Sequence, residues 1–319
     1  VTGKLICLKS GYTGVWDYTI ADFERRLAEA GVELRVNQPG RLWPLLARGL
    51  AKMRLLRHFV AASPQIYFAP LMGPAEYRLF PVCWYARTVV YCYDCWPDWY
   101  HWWEGFFRRH RIRVAFFSAR QSAEYFRQRL PEMISHWLPE AVEPDNYHPE
   151  KPLGARTIDV LEAGRRNEAY HQRLTDGLVA GKRIHLFEQA PGQIVFPKYE
   201  QFVAGLGETK ISICFPASIT HPERAGTVET VTHRYFEAMA SGCLIVGHCP
   251  AELRDLFGYN PVIEADLTRP LEQLEEILSR IEEYAELKHR NYQRLRAVGT
   301  WHTRAQTMLE LLAEARIYE

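Results

Sequence analysis

The chain has 319 residues, 47% of them apolar and 24% charged, the balance of a globular protein rather than of a disordered or fibrous one. Its 39 basic and 38 acidic side chains nearly cancel, so no global field argues for nucleic acid or for an acidic partner, and any function that uses charge has to be local. The longest stretch without charge, Phe59 to Ala75, carries Pro64, Pro70, Gly73 and Pro74, which break a spanning helix.

In chain order, "KLICLK" (Lys4 to Lys9) reads as a buried strand, "SGYTGVWDY" as a turn, and Thr19 to Ala30 as a helix closed by Gly31, after which "VELRV" resumes as a strand. This is the βαβ opening of an α/β sheet, whose ligands gather at the carboxyl ends of the strands. A helix over Leu45 to Val60, strands at "QIYFAP", "TVVYCY" and "VAFFS", and a helix over Ser122 to Arg129 continue the pattern. "WLPEAVEPDNYHPEKPLG" (Trp137 to Gly154), rich in proline and without periodicity, ends a first domain near residue 150.

The pattern then restarts. "TIDVLEAG" reads as a strand, Arg166 to Val179 as a helix, "RIHLFEQ" as a strand, Pro197 to Ala204 as a helix and "KISICFP" as a strand; "RYFEAMAS", "CLIVGH" and "PVIEA" follow as helix, strand and strand. Leu271 to Leu295 places apolar residues at helical spacing, and "TWHTRAQTMLELLAEARIYE" is a further amphipathic helix. Two consecutive α/β halves, residues 1–150 and 151–300, predict two Rossmann-like domains facing each other across a cleft, with a final helix over 301–319.

The densest chemistry lies in "VETVTHRYFEAMASGCLIVG", residues 228 to 247. In one helix Glu229 and Glu237 would stand roughly 12 Å apart along the axis, too far to act as a paired carboxylate couple, which needs about 5 to 9.5 Å. Gly242 ends a short helix, and Thr230 or Thr232 is its natural N-cap, so Glu237 lies within the helix and Glu229 in the loop before it. The N–H groups near Thr232 and His233 then stand ready for an anion such as a diphosphate. Arg234, a cation in a helix's first turn where the dipole disfavours it, reads either as a second phosphate ligand or as an exposed first-turn residue, the misfit favouring the ligand.

The E-x7-E spacing from Glu229 to Glu237, followed by "AMASGCLIV", resembles the donor site of retaining GT-B glycosyltransferases of the family 4 type. "AGRR" after the first strand of the second half, "LPEAVEPDNYHP" between the halves and "TWHTRAQTMLELL" at the end are similar to further pieces of that family, in the same order. The resemblance implies that Glu229 holds the donor sugar, Glu237 the nucleotide ribose and Arg165 the diphosphate, and that the last helix packs back toward the first domain. It implies a UDP- or GDP-type nucleotide sugar as donor, a sugar, glycolipid or small molecule as acceptor, retention of configuration and no cofactor or metal. The sequence carries neither D-x-D nor G-x-x-x-x-G-K-[ST]. It departs from the family in lacking the lysine after the arginine, a charge that Arg166 or Arg173 would supply, and in placing Tyr93-Asp94 where the family often has His-Asp. These departures motivate two alternatives, a silent scaffold that binds a nucleotide sugar or partner, and a nucleotide-sugar epimerase on the same fold.

"KSGYTGVWD" (Lys9 to Asp17) is a glycine-bearing turn whose Gly11, Tyr12, Thr13 and Gly14 let backbone approach a phosphate or an acceptor. The aromatic and basic run "CWPDWYHWWEGFFRRHRIR" (Cys95 to Arg113) reads either as an acceptor or membrane-resting surface or as a packed core helix with a basic outer face. "RLWPLLARGLAKMRLLRHFV" (Arg41 to Val60) adds a second basic, apolar segment and the expectation of peripheral membrane contact. The opening "VTGKLICLKSGYTG" lacks the apolar region of a secretory signal, so a cytoplasmic location is expected. Seven cysteines scattered among apolar segments do not form a disulfide framework, and "CYDC" has no second pair to complete a zinc site.

Overall fold

The computed structural model describes residues 4 to 317 apart from 12–13, 15–17, 38–42, 56–62 and 191. The chain divides into two compact units: Val1–Pro139 with Glu223–Val228 and Trp301–Glu319, and Glu140–Pro222 with Glu229–Thr300.

The first unit is built on a parallel six-stranded sheet. Its strands are β1 (Leu5–Leu8), β2 (Glu33–Arg35), β3 (Ile66–Met72), β4 (Arg87–Tyr93), β5 (Val114–Phe117) and β6 (Ile134–Trp137), in the order β2-β1-β3-β4-β5-β6. The central β3 and β4 are buried along nearly their whole length, as strands covered on both faces must be, and so read as continuous apolar runs. Helices α1 (Tyr18–Glu29), α2 (Trp43–Lys52), α3 (Tyr100–His110) and α4 (Arg120–Arg129) accompany them. On α1 the buried Ile20, Phe23, Glu24 and Leu27 fall on one helical stripe. The chain's last helix, Trp301–Glu314, packs on α1: the Trp301 ring stacks on Phe23 with centroids 4.8 Å apart.

Of the two readings of the aromatic run, the structure has the packed core helix. Trp103, Phe106, Phe107 and His110 of α3 are buried, while its outer arginines pair with carboxylates, Arg108 with Glu104 and Arg109 with Glu76. β6 escaped the sequence reading because "ISHW" buries only Ser135 and carries no apolar alternation.

The second unit has a parallel five-stranded sheet of β7 (Ile158–Glu162), β8 (His185–Phe187), β9 (Thr209–Cys214), β10 (Leu244–Gly247) and β11 (Ile263–Glu264), ordered β11-β10-β9-β7-β8. Its helices are α5 (Glu168–Ala180), α6 (Tyr199–Gly207), α7 (Ala217–Thr220), α9 (His233–Ala240), α10 (Ala251–Phe257), α11 (Pro270–Ser279) and α12 (Ala285–Val298), and α8 (Pro222–Ala225) spans a crossing between the units. Val160, Leu174, Ile211, Leu244, Val246 and Leu274 are among the residues of its core. The apolar pattern from Leu271 to Leu295 is two helices rather than one, interrupted by a 3-10 turn at Ile281–Tyr284. Gly247 at the end of β10 is obligatory, because a Cβ there would stand 1.8 Å from the Cys214 carbonyl oxygen.

The boundary between the units falls at Pro139–Glu140, not near 150. The connecting segment from Glu140 to Pro144 is buried, and Val142 bridges Thr300 within the second unit, so its proline-rich composition marks an ordered, packed strap rather than a free linker. Replacing Trp301 by alanine removes a buried ring from the first unit, and urea unfolding should show a loss of about 3–5 kcal/mol.

Candidate active site

The chemistry of the second unit gathers at the carboxyl end of β7 and at α9. After β7 the chain turns through Gly164 at φ +76°, a left-handed conformation that favours glycine. The turn also has to be bare: a Cβ at Gly164 would lie 2.0 Å from Nη2 of Arg234. Arg234 reaches over it from the first turn of α9 and donates from Nη1 to the Ala163 carbonyl at 2.5 Å. Burial pushes the Arg234 guanidinium down to about 10, and the neighbouring charge of Arg165 adds to the effect. Two predicted anion ligands, from segments some 70 residues apart, thus lie near enough for their charges to act on each other. Arg166 does not join them, since its guanidinium is bonded to the Glu168 carboxylate at 3.2 Å and to the Glu188 carbonyl at 2.9 Å.

Helix α9 spans His233–Ala240, with Thr232 at the N-cap position and the left-handed Gly242 just beyond the end. The predicted helix and the placing of Glu237 within it and Glu229 before it agree with this, but the predicted open anion site does not. The Thr232 side chain makes no capping bond. The cap is the carboxylate of Glu140, which accepts from the His233 backbone N–H at 2.8 Å and stands 2.9 Å from His233 Nδ1. The Val231 N–H is likewise donated to Glu252, at 2.6 Å. The protein supplies its own anions where a diphosphate was expected, because a carboxylate at a helix N-terminus satisfies both the unpaired N–H and the dipole.

Glu237 is buried, with 2% of its surface exposed. Its Oε1 accepts from the Tyr147 hydroxyl at 3.3 Å, whereas Oε2 has no hydrogen-bond partner among the described residues. Burial raises this carboxyl above its usual range, against the pull of His233 and Arg234. For His233 burial works against the charged form, but the carboxylates of Glu237 and Glu140 outweigh it and raise the imidazole above its ordinary value. His233 Nε2 is buried without a partner among the described residues.

Glu229 has a different setting. It is about one-third exposed; Oε1 lies 2.9 Å from His248 Nε2, and Oε2 accepts from the Ala251 N–H at 3.2 Å. His248, just past β10, has its Nδ1 3.3 Å from Glu264 Oε2. The sequence reading missed Glu140, Tyr147, His248, Glu252 and Glu264, which share no spacing with the motif.

Residues 168–310 match the family model described as glycosyl transferase-like. Over that segment the chain is similar to glycosyl transferase-like domains. Among solved structures it is similar to sucrose-phosphate synthase from Thermosynechococcus elongatus, with TM-score 0.64 and 12% identity over 99% of this chain and 100% of that one. It is also similar to the Anabaena protein HepE in complex with UDP and glucose, with TM-score 0.60 and 12% identity over 98% and 100%. A third similar structure is a UDP-forming α,α-trehalose-phosphate synthase from Burkholderia vietnamiensis, with TM-score 0.53 and 11% identity over 95% and 85%. These likenesses establish the GT-B fold. The sequence matches none of the curated proteins.

In the first unit of this GT-B chain, Gly11 lies at the carboxyl end of β1 in a left-handed conformation with open space around it. It lines a cavity of about 450 Å³ together with Lys9, Arg48, Tyr77 and Arg78. Ser10, beside it, is fixed by its N–H bond to the buried Glu24 at 2.6 Å. Tyr12 and Thr13 lie outside the described residues, and Gly14 is described without a regular element. Tyr93 is buried at the end of β4, where its carbonyl accepts from the Gly73 N–H, and Asp94 follows at φ +49°. Neither lines the cavity that holds Gly11.

An NMR titration of His233 should give a midpoint above the ordinary value of about 6.5, and Glu140→Gln should lower it. Because the folded value is raised, this ion pair stabilises the fold fully below the unfolded midpoint and loses its contribution as pH rises through the folded one.

Proposed function

We propose that the protein transfers a hexosyl group from a nucleoside diphosphate sugar to an acceptor, with retention of configuration and without a metal ion at the diphosphate. The observation that carries the reading is the pairing of Arg165 with Arg234 over Gly164. Two like charges held near each other favour a dianionic ligand between them. Breaking the sugar-phosphate bond leaves a dianionic nucleoside diphosphate, and fixed positive charge at that leaving group lowers the barrier more in a water-poor site than in water.

The remaining roles follow from the local geometry. Glu237 offers the ribose an unused, buried carboxylate oxygen. Glu229 offers the sugar hydroxyls a carboxylate oriented by His248 and by the Ala251 N–H. His233 contributes through Nε2, its N–H and Nδ1 being taken by Glu140. Arg234 supplies the second charge for which Arg166 was the sequence candidate. Uridine is favoured over guanosine as the base, because HepE was solved with UDP and with UDP-glucose and the trehalose-phosphate synthase is UDP-forming. On the acceptor side, the cavity at Gly11 is lined by Lys9, Arg48 and Arg78 and, among the described residues, by no acid, which favours an acceptor with an anionic group.

The seven cysteines are all buried and free, which supports a reducing, cytoplasmic location. No helix among the described residues is long and apolar enough to cross a membrane. The exposed Leu45, Leu46, Met53 and Leu55 beside Arg48 and Arg54 support a peripheral membrane contact through α2 and the turn after it.

Thermal unfolding with separate panels of UDP, GDP, ADP and TDP tests the donor site. UDP at a hundred times its dissociation constant should add about 2.7 kcal/mol of stability, and Glu237→Ala should remove most of it. Glu229→Ala should keep the UDP response and abolish transfer from UDP-sugars; full transfer by that variant rejects the assignment. A UDP response with no product from any acceptor would favour the silent scaffold.

A further inference from the structure

The first βαβ segment of the second unit holds a buried polar cluster that the proposed transfer does not use. Glu162 is the last residue of β7 and His185 the first of β8. The strands are parallel with Val160 opposite His185, so Glu162 and His185 project from the same face of the sheet, two positions apart. Helix α5 adds His171 from its buried stripe. His171 Nδ1 lies 2.6 Å and His185 Nε2 2.8 Å from one and the same oxygen, Glu162 Oε1.

All three side chains are inside the protein, 10%, 2% and 2% exposed for His171, His185 and Glu162. Their ligand atoms lie within 4.8 Å of one another, and no other group of three or more His, Cys, Asp or Glu among the described residues is so placed. The cluster is also incomplete as a hydrogen-bond network. Glu162 Oε2 and His185 Nδ1 are buried with no partner among the described residues, a costly condition for a carboxylate set among apolar core residues.

We propose that Glu162, His171 and His185 form a binding site for one zinc ion. Two imidazoles and a carboxylate are the donor set of a three-ligand zinc site, and nitrogen donors select zinc over magnesium or calcium. Zinc holds such atoms at about 2.0–2.2 Å, which puts tetrahedral neighbours roughly 3.3 Å apart. The two contacts to Glu162 Oε1 therefore need to open by about 0.5 to 0.7 Å, while the imidazole nitrogens, within 4.8 Å of each other, settle to the same spacing. Glu162 Oε2 or a water takes the fourth position. His171 Nε2, 3.3 Å from Thr175 Oγ1, already has the outer hydrogen bond that orients a ligating imidazole.

The ion would pin the end of β7, two residues before the Gly164 turn and three before Arg165. That consequence for transfer rests on the functional reading above; the site itself does not, and a failure of nucleotide binding leaves it untouched.

The full-length protein, stripped with a chelator, should take up one Co²⁺ per chain with the intense visible absorption of a tetrahedral site, and Zn²⁺ should displace it. Zn²⁺ should also raise the unfolding temperature. Two separate variants, His171→Gln and His185→Gln, each folded by circular dichroism, should weaken Co²⁺ binding roughly 100-fold or more, since each loses a direct ligand. Absence of a saturable tetrahedral spectrum in the unaltered protein, or its survival in both variants, overturns the proposal.

Discussion

The candidate site depends on how one very short helix is held. Helix α9 has eight residues, fewer than an isolated helix needs to persist in water, yet it carries His233, Arg234 and Glu237. It is gripped at both ends by charge. At the N-terminus Glu140 takes the His233 N–H. At the C-terminus the buried Arg156 donates to the Ser241 carbonyl at 2.8 Å and, through its other nitrogen, to Thr209 at 2.7 Å. A carboxylate at the first turn and a guanidinium at the last are the arrangement the helix dipole favours. The left-handed Gly242 lets the chain leave at once, passing so close to Lys288 and Arg156 that a side chain there would collide with them.

This clamp explains why the motif was legible and its chemistry only partly so. Strand and helix positions follow from periodicity and from local stops such as Gly31 and Gly242, both of positive φ, so most elements of both sheets could be read from the chain. α10 was not read from the chain, although Pro250 precedes it and the left-handed Gly258 follows it, because its seven residues are too few to show a period. The partners of the motif were hidden for another reason. Glu140, Tyr147 and His248 reach His233, Glu237 and Glu229 through the fold, and Glu264 reaches His248, over separations that leave no mark in a window of sequence. The cluster of Glu162, His171 and His185 was invisible for the same reason, since its spacings of nine and fourteen residues match no ligand pattern and only the register of β7 and β8 aligns them.

The carboxylate cap at the N-terminus of α9 also sets the electrostatic design. Were its amides open, the helix itself would be the anion receptor. On the proposed reading, with the His233 amide capped by Glu140, the receptor is side-chain charge, and the bare, left-handed Gly164 leaves room for Arg234, whose charge acts on that of Arg165. A guanidinium donates in a fixed planar fork, so a pair of them can select a diphosphate by shape as well as by charge. The Ala163 carbonyl accepts from Arg234 and keeps one edge of that fork turned toward the protein.

The two glutamates of the motif are then distinguished by what each lacks. Glu229 is solvated and already doubly bonded, to His248 and to a backbone amide, so a hydroxyl approaching it exchanges one good partner for another, and the contribution is orientation more than affinity. Glu237 is desolvated with one oxygen unpaired, and an unmet buried acceptor costs about 1–3 kcal/mol. A ribose hydroxyl that donates to Oε2 relieves that cost, so binding gains what the empty fold has forgone. On the proposed reading, the two carboxylates, eight positions apart, divide the donor between them: one fixes the sugar where it reacts, and the other holds the part that does not.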